Sequence, residues 1–217
     1  MPALLRRPPR RRRAAPAAAA PAAGGVGELG YPDRAAFDAA YRLGGLVGAG
    51  GYGKVFRATR ISPVAGEGEP GGAAAADVAV KQIPKRLKGG HGPPQKYLRK
   101  VRAEAEIQAA LSRRCDAVVG VHGVFEDPAS VLLVMDLCTG GTLLARDMAG
   151  FSERRASAAM AAALRALRAC HEEGVVFRDV KPDNFLWRDP GRSELLLSDF
   201  GQAVRLPAGE VLEERAG

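Results

Sequence analysis

The stretch Arg178-Asp179-Val180-Lys181-Pro182-Asp183-Asn184 is the most specific part of the chain. Asp199-Phe200-Gly201 follows it, beginning fifteen residues after Asn184 and just past the apolar run over 195–197. Phosphoryl transfer needs a carboxylate to orient the acceptor hydroxyl, a cation for the migrating group and an amide oxygen for Mg²⁺. Asp179, Lys181 and Asn184 supply these three groups. The aspartate of the second motif adds a carboxylate that can hold a metal ion. The two motifs therefore predict a site for phosphoryl transfer.

A glycine-rich segment, Gly48-Ala49-Gly50-Gly51-Tyr52-Gly53-Lys54-Val55, lies between two runs with the pattern of strands. Missing side chains let backbone N–H groups approach phosphate oxygens closely. Taken alone, the segment fits a phosphate-binding loop and a glycine-rich hairpin without a ligand equally well. A dinucleotide site is disfavoured because a strand, and not a helix, follows the glycines.

Val78-Ala79-Val80-Lys81 places one lysine at the end of an apolar strand. Burial of an ammonium is costly unless anions meet it, and nucleotide phosphates together with a carboxylate would do so. Helical spacing puts Glu104 on the apolar face with Ile107, whereas Glu106 falls on the wet side. Glu104 is therefore the predicted partner, at a salt-bridge distance of roughly 4 Å. A surface ion pair is the alternative for either glutamate.

The N-terminal half of the chain has the pattern of a disordered tail followed by a small sheet. Residues 1–30 contain little but Arg, Pro, Ala and Gly, which cannot bury enough apolar surface to offset ordering. Strand patterns recur from Tyr41 to Lys81, interrupted by a flexible loop over 62–76, and predict an antiparallel sheet. An amphipathic helix follows Pro94, and the apolar run over 131–135 predicts a strand buried on both faces.

A second long helix is predicted after Ser152, which is a suitable N-cap, and Gly174 follows its end. Its predicted apolar face carries Met160, Ala163, Leu164 and Leu167. Short apolar runs at 175–177, 185–187 and 195–197 alternate with polar loops. The predicted fold class is α+β.

The formal net charge of +8 is concentrated in the tail. Six arginines lie in the first 13 residues, before any acidic residue, so the rest of the chain is close to neutral. Specific nucleic-acid binding is therefore not predicted. The tail is interpreted as a solvated arm, with a targeting peptide or an arm for nucleic acid or anionic membranes as alternatives. A cytoplasmic location is predicted, with organellar targeting by the N-terminus as the alternative.

Membrane and cysteine patterns exclude several other classes. No stretch reaches the roughly 18 apolar residues that a membrane span requires. Cys115, Cys138 and Cys170 are an odd number of cysteines without metal-ligand spacing, so neither a disulfide framework nor a zinc site is predicted.

The order of these motifs resembles that of the eukaryotic protein kinases from about Tyr41 to the C-terminus. The chain is most similar to the calcium/calmodulin-regulated group, and particularly to plant and protist calcium-dependent protein kinases. The segments that carry this similarity are Leu133-Val134-Met135-Asp136-Leu137-Cys138-Thr139-Gly140-Gly141, Lys181-Pro182-Asp183-Asn184-Phe185-Leu186 and Pro207-Ala208-Gly209-Glu210-Val211. Lys181, two residues after Asp179, resembles serine/threonine kinases and not tyrosine kinases.

The resemblance implies a partial protein kinase domain over 41–217, which binds ATP and Mg²⁺. Its N-lobe, over 41–137, would be an antiparallel sheet with one helix, and 138–217 would form the first part of a mainly helical C-lobe. The implied catalytic residues are Lys81, Glu104, Asp179 and Lys181, and the implied metal ligands are Asn184 and Asp199. The implied nucleotide-binding residues are Val47, Gly48, Ala49, Gly50, Gly51, Tyr52, Gly53, Val55, Lys81, Met135, Asp136 and Cys138. Met135 would be the gatekeeper, with the backbones of Asp136 and Cys138 binding adenine.

Three positions depart from the family pattern. Phe177 replaces the His of His-Arg-Asp, and another aromatic ring is expected to substitute without affecting the chemistry. Gln108 replaces an apolar residue of the internal spine, where an unpaired buried amide would cost about 1 to 3 kcal/mol and weaken the active position of the helix. Thr142 replaces an acidic residue, which puts contacts with ribose or a basic substrate in doubt.

The function implied by the resemblance is ATP-dependent phosphorylation of Ser or Thr hydroxyls on protein substrates. The sequence stops at Gly217, within the activation segment and before any Ala-Pro-Glu element. A truncated, inactive module that binds nucleotide or a partner, or a fragment of a longer kinase, is therefore the alternative. Loops of the D-x-D-x-D-G type are absent, so a calcium-sensor domain is not expected in this chain.

Overall fold

The computed structural model of the protein describes residues 25–50, 53–61, 77–86, 95–144, 152–206 and 209–211. The predicted tail up to residue 24, the predicted loop over 62–76, and Gly51 with Tyr52 lie outside these residues. Within the described parts of the chain, no helix is long and apolar enough to cross a membrane.

A five-stranded antiparallel sheet forms the N-terminal part of the fold, in the order β1-β2-β3-β5-β4. Its strands are β1 (Tyr41–Gly50), β2 (Gly53–Arg60), β3 (Asp77–Pro84), β4 (Val121–Glu126) and β5 (Ser130–Asp136). β5 is buried along 130–135, which confirms the prediction drawn from its continuous apolar run. β4 was not predicted, because His122 and Gly123 interrupt its strand pattern.

Among the described residues up to 136, two helices accompany this sheet, one more than the sequence predicts. The unpredicted helix, α1 (Arg34–Ala40), begins at Asp33, whose side chain accepts a hydrogen bond from the Ala36 amide. It buries Phe37, whose ring stacks on Tyr41 at a centroid distance of 5.5 Å. The predicted amphipathic helix is α2 (Gln95–Ser112).

Over 152–206, the C-terminal part contains one long helix, a short 3₁₀ turn and two small sheets. The helix, α3 (Glu153–Glu172), begins at Ser152, whose hydroxyl accepts from the Arg155 amide, as predicted. Gly174 follows the helix with a φ of 64°, a left-handed conformation that favours glycine. The strands are β6 (Val175–Val176), β7 (Phe185–Trp187), β8 (Leu195–Leu197) and β9 (Val204–Arg205), with β6 paired to β9 and β7 to β8. The predicted α+β class is confirmed.

The predicted apolar face of α3 is wrong in part. Met160 and Leu164 are 60% and 58% exposed, whereas Ala163 is buried and Leu167 is partly buried. The buried face is made of small residues: Ala159, Ala162, Ala163, Ala166 and Cys170. Small side chains let α3 approach the rest of the core closely, so the longer side chains are turned outward.

Residues 25–30 contradict the predicted boundary of the disordered tail. The Leu29 amide donates to Glu126 Oε1 at 2.9 Å, and the Tyr31 amide donates to the same oxygen at 3.0 Å. The Glu126 amide in turn donates to the Pro32 carbonyl at 2.9 Å. Specific hydrogen bonds to β4 therefore order this short segment despite its glycine content.

The largest buried cluster joins α2 to the C-terminal part of the fold. Ile107 and Leu111 of α2 lie in one cluster with Phe177, Leu197 and Phe200, together with the alanine face of α3. The C-terminal half of α2 is therefore part of the same core as the segments that carry Asp179 and Asp199. This arrangement fixes the spacing between the sheet and the polar motifs.

We predict that Gly140→Ala lowers the free energy of unfolding by about 2 kcal/mol, because it overpacks a closed site. A Cβ atom at Gly140 would lie 2.1 Å from the Asp189 carbonyl oxygen and 2.6 Å from Trp187 Cβ. Gly45→Ala is the matched control, since nothing lies within 4 Å of its added Cβ. Urea denaturation of both variants measures the difference, and equal midpoints would contradict the prediction.

Candidate active site

Lys81 lies at the centre of the site because β3 is an interior strand of the sheet. Its backbone is opposite Val55 on one side and Leu133 on the other, and the residue is only 7% exposed. Lys81 Nζ contacts Glu104 Oε1 at 2.6 Å and Asp199 Oδ1 at 2.7 Å. The ammonium therefore connects β3, α2 and the segment after β8.

The contact between Lys81 and Glu104 confirms the predicted face of α2. Glu104 is 4% exposed, whereas Glu106 pairs with Arg102 across 2.7 Å on the solvent side of the helix. The helical period of the apolar residues was sufficient to distinguish the two glutamates.

Opposing electrostatic effects act on this buried cluster. Burial favours a neutral amine, but the carboxylates of Glu104 and Asp199 outweigh it and raise the pKa of Lys81 above its ordinary value. Burial also raises the pKa of Glu104, and the Lys81 ammonium opposes that rise. Lys81 is thus a cation at neutral pH, held in place by two carboxylates.

The predicted catalytic segment folds into a compact loop after β6. Lys181 Nζ contacts Asp179 Oδ2 at 2.7 Å, and Asn184 Nδ2 donates to the same oxygen at 3.0 Å and to the Asp179 carbonyl at 2.7 Å. A short 3₁₀ turn at Pro182–Asn184 brings Asn184 back toward Asp179. The structure therefore places the three residues of the motif together.

The Asp-Phe-Gly motif is anchored by its aromatic residue. Phe200 is fully buried and packs edge-on against Phe177, with ring centroids 5.2 Å apart and an interplanar angle of 79°. This T-shaped contact confirms that Phe177 can take the place of another aromatic ring. Asp199 has a φ of 59°, a left-handed conformation that accompanies its contact with Lys81.

Met135 and Cys138, two of the predicted nucleotide-binding residues, lie in or against a small apolar cluster near the end of β5. Ala79, Val119, Met135 and Leu196 form a small apolar cluster. Val55, Leu137 and Cys138 pack against it and are partly exposed. The carbon atoms of an adenine ring could lie on such a surface, while Asp136 and Cys138 are located where β5 leaves the sheet.

The described part of the glycine-rich hairpin also has the predicted position. Val47, Gly48, Ala49 and Gly50 end β1, and Gly53 begins β2 with a φ of 140°. A Cβ atom at Gly53 would lie 2.3 Å from the Gln82 carbonyl oxygen. Glycine is therefore required at residue 53 both for its backbone conformation and for close approach to β3.

The sequence analysis did not predict the polar cluster around Asp136. Asp136 Oδ1 contacts His122 Nε2 at 2.8 Å, and Oδ2 accepts from Arg188 Nη1 at 3.2 Å. Arg188 Nε also donates to Glu194 Oε2 at 2.7 Å. The cluster connects β4 and β5 to the segment after β7, and no local sequence pattern predicts contacts of this range.

Comparison with protein-family models matches residues 41–217 to the protein kinase domain. The chain belongs to the protein kinase family. The matched residues include every catalytic, metal and nucleotide position predicted above.

Curated relatives of this kinase chain include calcium-dependent protein kinases. Calcium-dependent protein kinase 25 of Arabidopsis thaliana is 34% identical over 180 residues, covering 82% of this chain and 32% of the relative. Calcium-dependent protein kinase 6 of Oryza sativa subsp. japonica is 32% identical over 180 residues, covering 82% of this chain and 30% of the relative. The chain spans about a third of the length of these relatives.

Gln108, which stands where the kinase pattern has an apolar spine residue, is buried and has a hydrogen-bond partner. Its Nε2 donates to the Val119 carbonyl at 3.4 Å and lies 3.9 Å from the Met135 sulfur. The condition for the expected weakening, an unpaired amide, is therefore not met: Gln108 has an acceptor, and Glu104 contacts Lys81. The amide fits because it lies against β5 and the backbone at Val119.

We predict that Glu104→Gln lowers the free energy of unfolding by about 3 kcal/mol, because it removes one charged partner of a buried ammonium. Asp199 remains in contact with Lys81, which keeps the loss at the lower end of the expected range. Glu106→Gln is the matched control, and its exposed ion pair contributes at most about 0.5 kcal/mol. Urea denaturation compares the two, and a larger loss for Glu106→Gln would refute the assignment.

Proposed function

We propose that this chain catalyses the transfer of the γ-phosphoryl group of ATP to Ser or Thr hydroxyls on protein substrates. The observation that carries the proposal is the Lys81 ammonium, which contacts both Glu104 and Asp199. The same fold holds Asp179 and Lys181 in contact within one loop. Phosphoryl transfer depends on positioning and on charge stabilisation, and these contacts provide both.

Asp179 is the proposed acceptor, or orienting group, for the proton of the substrate hydroxyl. A hydrogen bond from Lys181 and a further one from Asn184 lower the pKa of Asp179, although partial burial opposes them. The carboxylate is therefore ionised at neutral pH and can align the hydroxyl for in-line attack. The hydrogen bonds from Lys181 and Asn184 fix the Asp179 carboxylate, so it can accept the substrate hydroxyl proton from only a limited range of directions.

The two lysines are proposed to act on different parts of the phosphate chain. Lys81 would hold the α- and β-phosphates, since Glu104 fixes its ammonium beside the glycine-rich hairpin. Lys181 is 43% exposed and lies beside Asp179, so it would stabilise the charge on the transferring group. Each cation is held by a carboxylate before the substrate arrives.

Asn184 and Asp199 fit the metal role implied by the kinase family. Asn184 donates its Nδ2 hydrogen bonds to Asp179, so its side-chain amide oxygen points in another direction. Amide and carboxylate oxygens are the ligands that Mg²⁺ prefers. The Ser198 amide donates to the Asn184 carbonyl at 2.8 Å, which places the two ligands on adjacent backbone segments. Mg²⁺ bound with ATP supplies charge neutralisation at the phosphates.

The adenine moiety is proposed to bind against the cluster around Met135, with the Asp136 and Cys138 backbones as its polar partners. The side chain of Asp136 is held by His122 and Arg188, so its backbone is restrained. In the proposed domain division, 41–137 is the N-lobe and 138–217 belongs to the C-lobe. Adenine would then lie at the boundary between the two.

We expect Asp179→Asn to lower the rate of phosphoryl transfer about 10²- to 10⁴-fold, because the amide cannot accept the hydroxyl proton. The assay follows radiolabelled phosphate from ATP to a generic basic protein. Glu106→Gln, on the exposed face of α2, is the control and should retain the wild-type rate. Wild-type transfer no faster than that of Asp179→Asn would defeat the proposed activity.

A second candidate function is a module that binds nucleotide or a partner without catalysis. Met160 and Leu164 favour it, because they form an exposed apolar stripe on α3 outside the proposed catalytic site. For this candidate, MgATP should raise the melting temperature while no phosphate is transferred. Absence of both stabilisation and transfer would exclude nucleotide binding as well as catalysis.

A further inference from the structure

The segment over 25–33, here called the strap, is bound to the sheet through one buried carboxylate. Glu126 is 1% exposed, and its Oε1 accepts from the amides of Leu29 and Tyr31. The strap closes on itself as well, since the Asp33 amide donates to the Gly25 carbonyl at 3.1 Å. A buried carboxylate that accepts two backbone N–H groups is a strong and specific anchor.

A buried lysine completes this anchor. Lys85 is 3% exposed and its Nζ pairs with Glu126 Oε2, with Glu28 at 3.9 Å from the same ammonium. Gly27 packs directly on the carboxylate, because an added Cβ would lie 2.2 Å from Glu126 Cδ. The strap therefore fits one position on β3 and β4, with no room for an added methyl group at residue 27.

The apolar side of the strap packs where α2 meets the sheet. Leu29 and Tyr31 pack against the cluster of Ile83, Val101 and Val131, which contains a residue from each of β3, α2 and β5. Burial, followed by the charge of Glu106, raises the pKa of Tyr31 to about 12. The Tyr31 ring is thus close to the same helix that carries Glu104.

The two halves of α2 are held by different contacts. Ile107 and Leu111 bury the C-terminal half in the large core. Val101, in the N-terminal half, lies in the cluster against which the strap packs. Glu104 lies one turn after Val101, between the two regions, so its distance from Lys81 depends on how closely the N-terminal half approaches the sheet.

We propose that the strap is a positioning element for phosphoryl transfer: it holds the N-terminal half of α2 against the sheet and thereby keeps Glu104 on Lys81. The inference rests on the proposed kinase function. Glu126 and Tyr31 are the positioning residues, and neither touches the substrate. A strap with a merely structural role would change stability and leave the contact between Lys81 and Glu104 unaffected.

The test uses the full chain with two strap variants, each with a matched control. Gly27→Ala pushes the strap away from Glu126, whereas Val26→Ala trims a side chain that is 70% exposed. Tyr31→Ala removes the packed ring. Tyr31→Phe keeps the ring and removes a hydroxyl for which the described residues provide no hydrogen-bond partner.

Hydrogen exchange reports on α2 without requiring enzyme activity. We expect the α2 amides over 95–104 to exchange about tenfold faster in Gly27→Ala and Tyr31→Ala, with α3 unchanged and with wild-type rates in both controls. If the α2 rates stay at the wild-type level in both strap variants, the proposal is overturned. Should Gly27→Ala fail to fold, Tyr31→Ala decides alone.

A double-mutant cycle tests the effect on Glu104 independently of activity. The loss of unfolding free energy caused by Glu104→Gln should fall to about half in the Tyr31→Ala background, because the ion pair between Lys81 and Glu104 is already loosened there. In the Tyr31→Phe background, this loss should equal that in the wild type. Strictly additive effects would overturn the positioning role.

In the transfer assay, well below the melting temperature, kcat should drop about tenfold in Tyr31→Ala with KM for ATP nearly constant, and Tyr31→Phe should keep the wild-type kcat. If the wild-type chain transfers no phosphate, the proposed kinase function is refuted. The hydrogen-exchange rates and the double-mutant cycle still test whether the strap holds Glu104 on Lys81, because neither measurement requires activity.

Discussion

A lysine ammonium with 7% exposure is the constraint on which the site depends. A charge so deeply buried needs anions in contact, and the chain provides them from two distant segments, Glu104 and Asp199. The requirement couples the sheet to α2 and to the end of β8. An element that moves away from Lys81 removes one of the charge contacts in the cluster, so the cluster favours one arrangement of all three.

Apolar packing next to Asp199 supports this polar cluster. Phe200 is fully buried next to Asp199 and packs on Phe177, which precedes Arg178 and Asp179. One aromatic contact therefore holds together the two segments that carry the proposed metal ligand Asp199 and the proposed catalytic residue Asp179. Phe177, which stands where the kinase pattern has a histidine, provides the packed ring for this contact.

Local patterns predicted the parts of the site that depend on periodicity and spacing. Helical period identified Glu104, strand pattern identified Lys81, and the spacing within 178–184 identified the loop. The contacts of Asp136 with His122 and Arg188 could not be predicted, because they depend on the register of β4 and β5 and on the path after β7. Gln108 was misjudged for the same reason: its acceptor, the Val119 carbonyl, is fixed only by the fold.

The error on α3 shows why hydrophobic pattern alone does not orient a helix. Ala159, Ala163 and Ala166 repeat at helical spacing, and so do Met160 and Leu164 one position further along the chain. A count of hydrophobicity favours the larger side chains, but the core beside α3 is already filled by Phe177, Leu197 and Phe200. Only small residues let the helix pack closely against such bulky neighbours. Complementary side-chain size thus decides which face is buried, and the longer Met160 and Leu164 remain as a second apolar stripe on the outside.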